Sequence, residues 1–247
     1  MATLSYHEQK DIENIKKLRE LQKELPSFCS DFFRGIETST STRTRIAYAY
    51  DLKIFFQFLK TANPGTFDNP SHTLTPSDLE KLTVTDLEEY IDYLKCHPSD
   101  TNEDVINTER GLMRKVSSLR SFYSYFFRNE LIEKNPAALV RMPKLHEKEI
   151  IRLEIDEVAK LLDEVEEGDK LTEKQKLYHE RTKVRDLAMM SLLLGTGIRV
   201  SECVGLNIND IDLDTCGARV YRKGGKESVI YFSDEVRDVL ENYLDER

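Results

Sequence analysis

The sequence predicts a mainly α-helical chain in two units, the second carrying a small antiparallel β hairpin. Three observations predict it. Apolar residues recur at three- and four-residue intervals along most of the chain, the spacing of one helix face. Two alternating segments, ARVYR (218–222) and SVIYF (228–232), flank a Lys-Gly-Gly-Lys turn, the pattern of a hairpin. A basic stretch around Pro143 separates two sets of such segments, and 247 residues suit two ordinary domains.

The elements follow in order. Residues 8–24 form a charged amphipathic helix ended by Pro26. In 39–60, a Ser/Thr cluster supplies N-cap candidates, and Tyr48, Leu52, Phe55, Phe56 and Leu59 make one apolar face. Pro64, Gly65, Asn69, Pro70 and Pro76 mark 61–76 as a loop. Thr85 opens a helix over 85–95 with Leu87, Ile91 and Leu94 on one side. From about 107 to 129, Leu112, Val116, Leu119, Tyr123 and Phe126 share a stripe; Arg110, Arg114, Ser117, Ser121, Ser124 and Arg128 lie opposite. Asn135-Pro136 ends that unit.

In the second unit, LEIDEVAKLLDEVEE forms an amphipathic helix with Ile155, Val158, Leu161, Leu162 and Val165 inward. The polar stretch GDKLTEKQKLYHERTK reads as a loop or short helix. Residues 184–194 are nearly all apolar, which predicts a buried helix. It stops at Gly195-Thr196-Gly197, a short helix RVSECVGL follows, and Ser233 caps a last helix after the hairpin.

Composition narrows the classes. The formal charge is -9, with 33% charged and 39% hydrophobic residues spread along the chain, which argues against wholesale disorder. No apolar run approaches the length that spans a bilayer, and the first residues lack the apolar core of a signal peptide. Cys29, Cys96, Cys203 and Cys216 are scattered without a CxxC pair, so a disulfide scaffold or zinc site is not expected and a reducing cytoplasm is. Acidity argues against a general nucleic-acid binder, but the charge is uneven. Residues 66–104 hold ten acids against Lys81 and Lys95, whereas 107–153 hold ten bases against five acids. That basic segment is a placed surface rather than an average.

Three features could carry chemistry. The Ser/Arg stripe suits phosphate, because guanidinium groups bond it bidentately and short hydroxyls bond it closely. An isolated stripe of this kind is more often a solvated helix face; the neighbouring basic linker brings the two readings level. Arg199 directly follows the Gly-Thr-Gly turn, and Glu202 sits three residues on, able to hold its guanidinium. On spacing alone the two are a surface helix pair. Lys223 tops the hairpin, where a lysine is ordinarily solvated yet could donate a proton to a bound phosphate ester.

The chain resembles the tyrosine recombinases of the phage-integrase and Xer type. LLLGTGIRVSECVGLNINDID followed by ARVYRKGGKESVIYF is similar to their catalytic domain; RIAYAYDLKIFFQFL and KVSSLRSFYSYFFRNELIEKNPA resemble two helices of their core-binding domain. The likeness spans about 39–247. It implies an N-terminal helical extension (1–36), a helical core-binding bundle of SAM-like type (37–140), a basic linker (141–152) and the N-terminal part of an α-rich catalytic domain (153–247). Arg199 then corresponds to an arginine that binds the scissile phosphate, Glu202 to its supporting acid, and Lys223 to the lysine that protonates the leaving 5′-oxygen. The implied DNA contacts are Arg43, Arg110, Arg114, Lys115, Ser117, Arg120, Ser121, Arg141, Lys144 and Lys226.

The resemblance further implies cytoplasmic cutting and rejoining of double-stranded DNA through a phosphotyrosine bond, with no metal or other cofactor. It implies a clamp of two domains on the duplex and a homotetramer on DNA at full length, with no membrane partner. One departure matters. Complete members carry a His-x-x-Arg motif and the nucleophilic tyrosine downstream, yet His7, His72, His97, His146 and His179 all precede Arg199, and Tyr243 lacks the flanking pattern. The expectation is therefore a C-terminally truncated recombinase that binds DNA but does not cleave it. Two alternatives stay open: a non-catalytic DNA-binding accessory module, and a helical protein-interaction protein.

Overall fold

A computed structural model describes residues 6–98, 103–146, 149–222 and 226–247. The chain divides into two compact units, 1–148 and 149–247.

The first unit is helical. Its helices are α1 (Tyr6–Lys23), α2 (Cys29–Gly35), α3 (Thr42–Ala62), the one-turn α4 (Pro64–Phe67), α5 (Val84–Tyr93) and α6 (Glu109–Arg128). Between α5 and α6, β1 (Cys96–Pro98) and β2 (Asp104–Ile106) pair antiparallel, His97 opposite Val105. Caps set the helix starts. Ser41 Oγ accepts the Thr44 N–H at 3.2 Å to open α3, and Thr108 Oγ1 accepts that of Gly111 at 3.2 Å to open α6. α5 opens at Thr83, not Thr85, because the Asp86 carboxylate reaches back to the Thr83 N–H at 2.6 Å and closes a capping box. Prolines at first-turn positions let α4 form inside the segment expected as loop and a 3₁₀ turn, Pro76–Lys81, start at its end.

The core of this unit is aromatic. Phe122 is buried with its ring centroid 5.0 Å from Phe126, 5.2 Å from Phe32 and 6.2 Å from both Phe28 and Phe56. Residues ahead of position 37 belong to it, since Leu18, Leu21, Leu25, Cys29, Phe32, Phe33 and Ile36 are all buried there. At the α2–α6 crossing, a Cβ on Gly35 would overlap the Tyr125 ring. Residues 140–146 also belong to this unit: Val140 is buried and Met142 packs on the core.

The second unit contains α7 (Ile155–Glu167), α8 (Glu173–Thr196), the short α9 (Val200–Val204) and α10 (Asp234–Glu246), with an antiparallel sheet β3-β4-β5. Its strands are β3 (Ile211–Asp212), β4 (Gly217–Arg222) and β5 (Lys226–Tyr231), with Val220 opposite Ser228 and Arg222 opposite Lys226. β3 goes beyond the expected hairpin. The polar stretch expected as a loop or short helix is, from Glu173 on, the first half of the long α8, opened where Gln175 Oε1 accepts both the N–H (2.9 Å) and the hydroxyl (2.8 Å) of Thr172.

Burial is thinner here than the sequence predicts. Ala188 and Leu192 are the buried side chains of α8, and Leu194 is exposed. On α7, Val158, Leu161, Leu162 and Val165 are half-buried, but Ile155 is 89% exposed. The reason is that α8 packs on α7 and α10, which cover only part of its circumference among the described residues. The core is Ala188, Leu192, Ile198, Cys203, Ala218, Val220, Phe232, Val236 and Leu240. No helix of the described residues is long and apolar enough to cross a membrane.

Phe122→Ala is expected to destabilise the first unit by about 3–5 kcal/mol. Gly35→Ala should also destabilise it, because Tyr125 must move to admit the methyl group. Urea unfolding followed by tyrosine fluorescence checks both.

Candidate functional site

The Arg199–Glu202 constellation of the second unit begins with a helix end. α8 closes at Gly197, whose φ of +65° lies in the left-handed region where a side chain is strained, and whose N–H bonds the Leu193 carbonyl at 2.9 Å. The next residue, Ile198, is buried and anchors the chain to the core. Arg199 is thereby held in an extended conformation (φ −73°, ψ 148°) as the N-cap of α9. Glu202 reaches back from the first turn, its Oε2 accepting the Arg199 N–H at 3.0 Å and its Oε1 accepting Arg199 Nη1 at 2.8 Å.

The two side chains differ sharply in exposure, 66% for Arg199 and 4% for Glu202. The carboxylate is thus spent on orientation, while most of the five N–H donors of the guanidinium face solvent. The Arg199 N–H bond does most to lower the Glu202 pKa; burial opposes it, and the charges of Arg199 and Arg222 add to the lowering. Glu202 is accordingly a carboxylate at neutral pH. The expected Arg199–Glu202 pairing is present, together with a backbone cap the spacing argument had not included.

Arg222 ends β4 on the same alternating face as the buried Ala218 and Val220, with Lys226 as its cross-strand partner. This puts two further cations on the sheet face that carries the core side chains. Arg222 was not among the expected residues; its period-2 relation to Ala218 and Val220 was the available signal. Lys223 lies outside the described residues, as do Gly224 and Gly225.

In the first unit, the start of α3 and the start of α6 wall an open pocket lined by Arg43, Thr44, Tyr48, Arg110, Arg114, Ser117 and Leu145. Four of the expected contacts, Arg43, Arg110, Arg114 and Ser117, are therefore brought together. Arg43 and Arg110 are exposed and in no ion pair among the described residues. Arg114 is 45% exposed, and its Nη1 bonds Oδ2 of Asp51, whose side chain is 1% exposed. Burial pushes the Asp51 carboxyl above its ordinary pKa, against the pull of Arg114 and Lys115.

The other expected contacts scatter. Arg141 and Lys144 are exposed in the first unit, Ser121 is half-buried, and Lys226 is exposed in the second. Two are engaged within the first unit. Lys115 is buried with its Nζ on Asn107 Oδ1 at 2.7 Å, and burial lowers its pKa. The Arg120 guanidinium bonds the carbonyls of Ala137, Ala138 and Val140, bracing the chain that leaves α6. Their positions carried the signal: Lys115 is four residues before Leu119, and Arg120 four after Val116, both on the buried side. Beside the pocket, Glu109 accepts the His146 N–H at 2.8 Å and bonds its Nδ1 at 2.6 Å, tying the end of 140–146 to the start of α6.

Residues 151–247 match the Phage integrase family model. The chain is 34% identical over 228 residues to the tyrosine recombinase XerC of Caldanaerobacter subterraneus subsp. tengcongensis, covering 89% of this chain and 58% of that protein. It is 31% identical over 259 residues to the tyrosine recombinase XerS of Streptococcus uberis, covering 94% of this chain and 71% of that protein. The chain thus spans a little over half the length of the XerC relative. Its fold is similar to that of a lambda integrase tetramer bound to a Holliday junction, with a TM-score of 0.58 at 16% identity over 89% of this chain and 54% of that one.

Glu202 generates a pH prediction. Its folded pKa is depressed, so its contribution to stability is full above the unfolded value of about 4.3 and is lost as pH falls through the lower folded value. In Glu202→Gln that acid-dependent loss should vanish from the second unit. Hydrogen exchange of the α9 amides between about pH 5 and 3 checks it. Gly197→Ala should cost about 1–2 kcal/mol in the same unit, through the left-handed backbone alone.

Proposed function

The chain belongs to the tyrosine recombinase family, and from that premise we propose that it acts in site-specific recombination of duplex DNA, gripping the phosphate backbone and binding the phosphate at the cut. The observation that carries the reading is Arg199, an exposed guanidinium fixed along one edge by the buried Glu202 and by its own helix-capping backbone.

The proposed chemistry follows from that geometry. Arg199 presents its outward N–H groups to the non-bridging oxygens of the scissile phosphate, where charge grows as the phosphorus becomes five-coordinate. Because Glu202 already orients the guanidinium, little reorganisation accompanies binding. Removing such a clamp typically costs several kcal/mol of barrier. Lys223, which follows Arg222 in the sequence, protonates the 5′-oxygen as the phosphorus–oxygen bond breaks, an assistance of about 10²–10⁴-fold. Attack by a tyrosine oxygen forms the phosphotyrosyl bond and leaves a free 5′-hydroxyl. No tyrosine of residues 1–247 is assigned that role, so these residues alone bind DNA without forming the covalent adduct.

The first unit supplies the hold on the duplex. Arg43, Arg110, Arg114 and Ser117 around the α3–α6 pocket contact backbone phosphates, with Arg141, Lys144 and Ser121 extending the surface and Lys226 contributing from the second unit. The acidic remainder of the chain suppresses non-specific adhesion. We further propose assembly as a homotetramer on DNA and a cytoplasmic setting, as suits a partner that is chromosomal or mobile-element DNA.

Two measurements test this. Affinity for a duplex should fall steeply with salt, and Arg43→Gln and Arg110→Gln should each lower the log–log salt slope by about 1. Binding indifferent to salt would remove the DNA reading. With a nicked suicide duplex, residues 1–247 should leave no covalent band on a denaturing gel; an adduct, mapped to Tyr243 or another tyrosine, would overturn the assignment of the nucleophile.

A further inference from the structure

The pocket of the first unit contains one arginine unlike its neighbours. Arg43 and Arg110 are exposed and unpaired among the described residues, whereas Arg114 is bonded through Nη1 to a carboxylate that lies almost wholly inside the protein. Asp51 occupies the face of α3 that turns toward α6, with Lys115, Ser118 and Tyr90 around it. Its second oxygen, Oδ1, is shut off from solvent without a hydrogen bond, the nearby Ser118 hydroxyl being given to the Lys115 carbonyl at 2.9 Å.

Such a pair is poor engineering for stability alone. Desolvating a carboxylate is costly, and an apolar pair of similar volume commonly serves a core as well or better. Lys115 does not share the duty, because its ammonium is bonded to Asn107. What the pair accomplishes is directional. Arg114 Nη1 lies on Asp51 Oδ2 and within 3.4 Å of the Ala47 carbonyl, so one end of the guanidinium is fixed against α3. The rest is left to line the pocket between Arg110 and Ser117. Arg199 and Glu202 in the second unit repeat the arrangement: a buried carboxylate, one edge of a guanidinium, and the remaining donors outward.

We propose that Asp51 is a positioning residue that pre-orients Arg114 to grip a DNA phosphate in the α3–α6 pocket. The inference rests on the DNA-binding reading of the first unit and adds to it a difference among the pocket's arginines. Arg43 and Arg110 lose side-chain freedom when they bind, whereas Arg114 has already lost it on folding.

The test uses the full 247-residue chain and a fluorescein-labelled duplex at fixed salt. Asp51→Asn keeps the shape and removes the charge; Arg114→Gln removes the gripping group; the double variant and Arg110→Gln complete the set. Arg114→Gln should weaken binding by about tenfold, Asp51→Asn by a similar or smaller factor, and the double variant no more than Arg114→Gln alone. Equal cost of Asp51→Asn in both backgrounds, or no cost in the wild-type background, overturns the positioning role while a weakened Arg110→Gln leaves the DNA reading standing. If Arg110→Gln and Arg114→Gln both bind as the wild type does, both fall together.

Arg114→Gln leaves a buried carboxylate without its partner and could unfold the first unit, so a second measurement uses only the wild type and Asp51→Asn. In ¹⁵N spectra of the free protein, the Arg114 guanidinium should show hindered rotation with separate Nη signals, while Arg43 and Arg110 average. Asp51→Asn should bring Arg114 to the averaged pattern. Averaging of Arg114 in the wild type, or hindrance that survives in Asp51→Asn, overturns the proposal.

Discussion

The first unit depends on the packing of Phe122. Its ring sits where α2, α3 and α6 converge, against Phe28, Phe32, Phe56 and Phe126, and it admits no solvent. A close-packed aromatic contact of this kind tolerates little rotation of the helix that bears it. Once Phe122 points inward, the side of α6 through Lys115, Leu119 and Phe126 must follow, and Arg110, Arg114 and Ser117 are left facing out. The basic surface is therefore a consequence of the core. Gly35 contributes by letting α2 lie against the Tyr125 ring, which a side chain there would displace.

The second unit solves the same problem with less material. Its core is small and its helices only partly covered, yet Arg199 is held closely because three local devices converge on it. Gly197 ends α8 in a left-handed conformation, Ile198 pins the chain to the core, and Glu202 caps α9 while bonding the guanidinium. Each acts within a few residues of Arg199, so its orientation does not depend on the extent of the surrounding core. In the first unit the corresponding carboxylate, Asp51, comes from a different helix and lies 63 residues away in sequence.

Local rules made much of this legible. The helices at 42–62 and 109–128, the end of α8 at Gly197 and the Ser233 cap of the last helix follow from periodicity and capping chemistry. The missed pieces have local reasons too. The start of α8 was written in Thr172 and Gln175, but a polar composition masked the box. Prolines at 64 and 76 read as breakers, although at the first turn of a helix they are acceptable.

The sequence by itself determined the family, the helical character and the Arg199–Glu202 pair, because motif, periodicity and a three-residue spacing are all properties of neighbours along the chain. Only the tertiary structure decided which cations remain available. Lys115 and Arg120 are as basic as Arg110 in composition, but in the folded unit one is bonded to Asn107 and the other to the carbonyls after α6. Nor does any local pattern join Asp51 to Arg114. Their meeting requires α3 and α6 to lie side by side, and only the folded core brings those helices together.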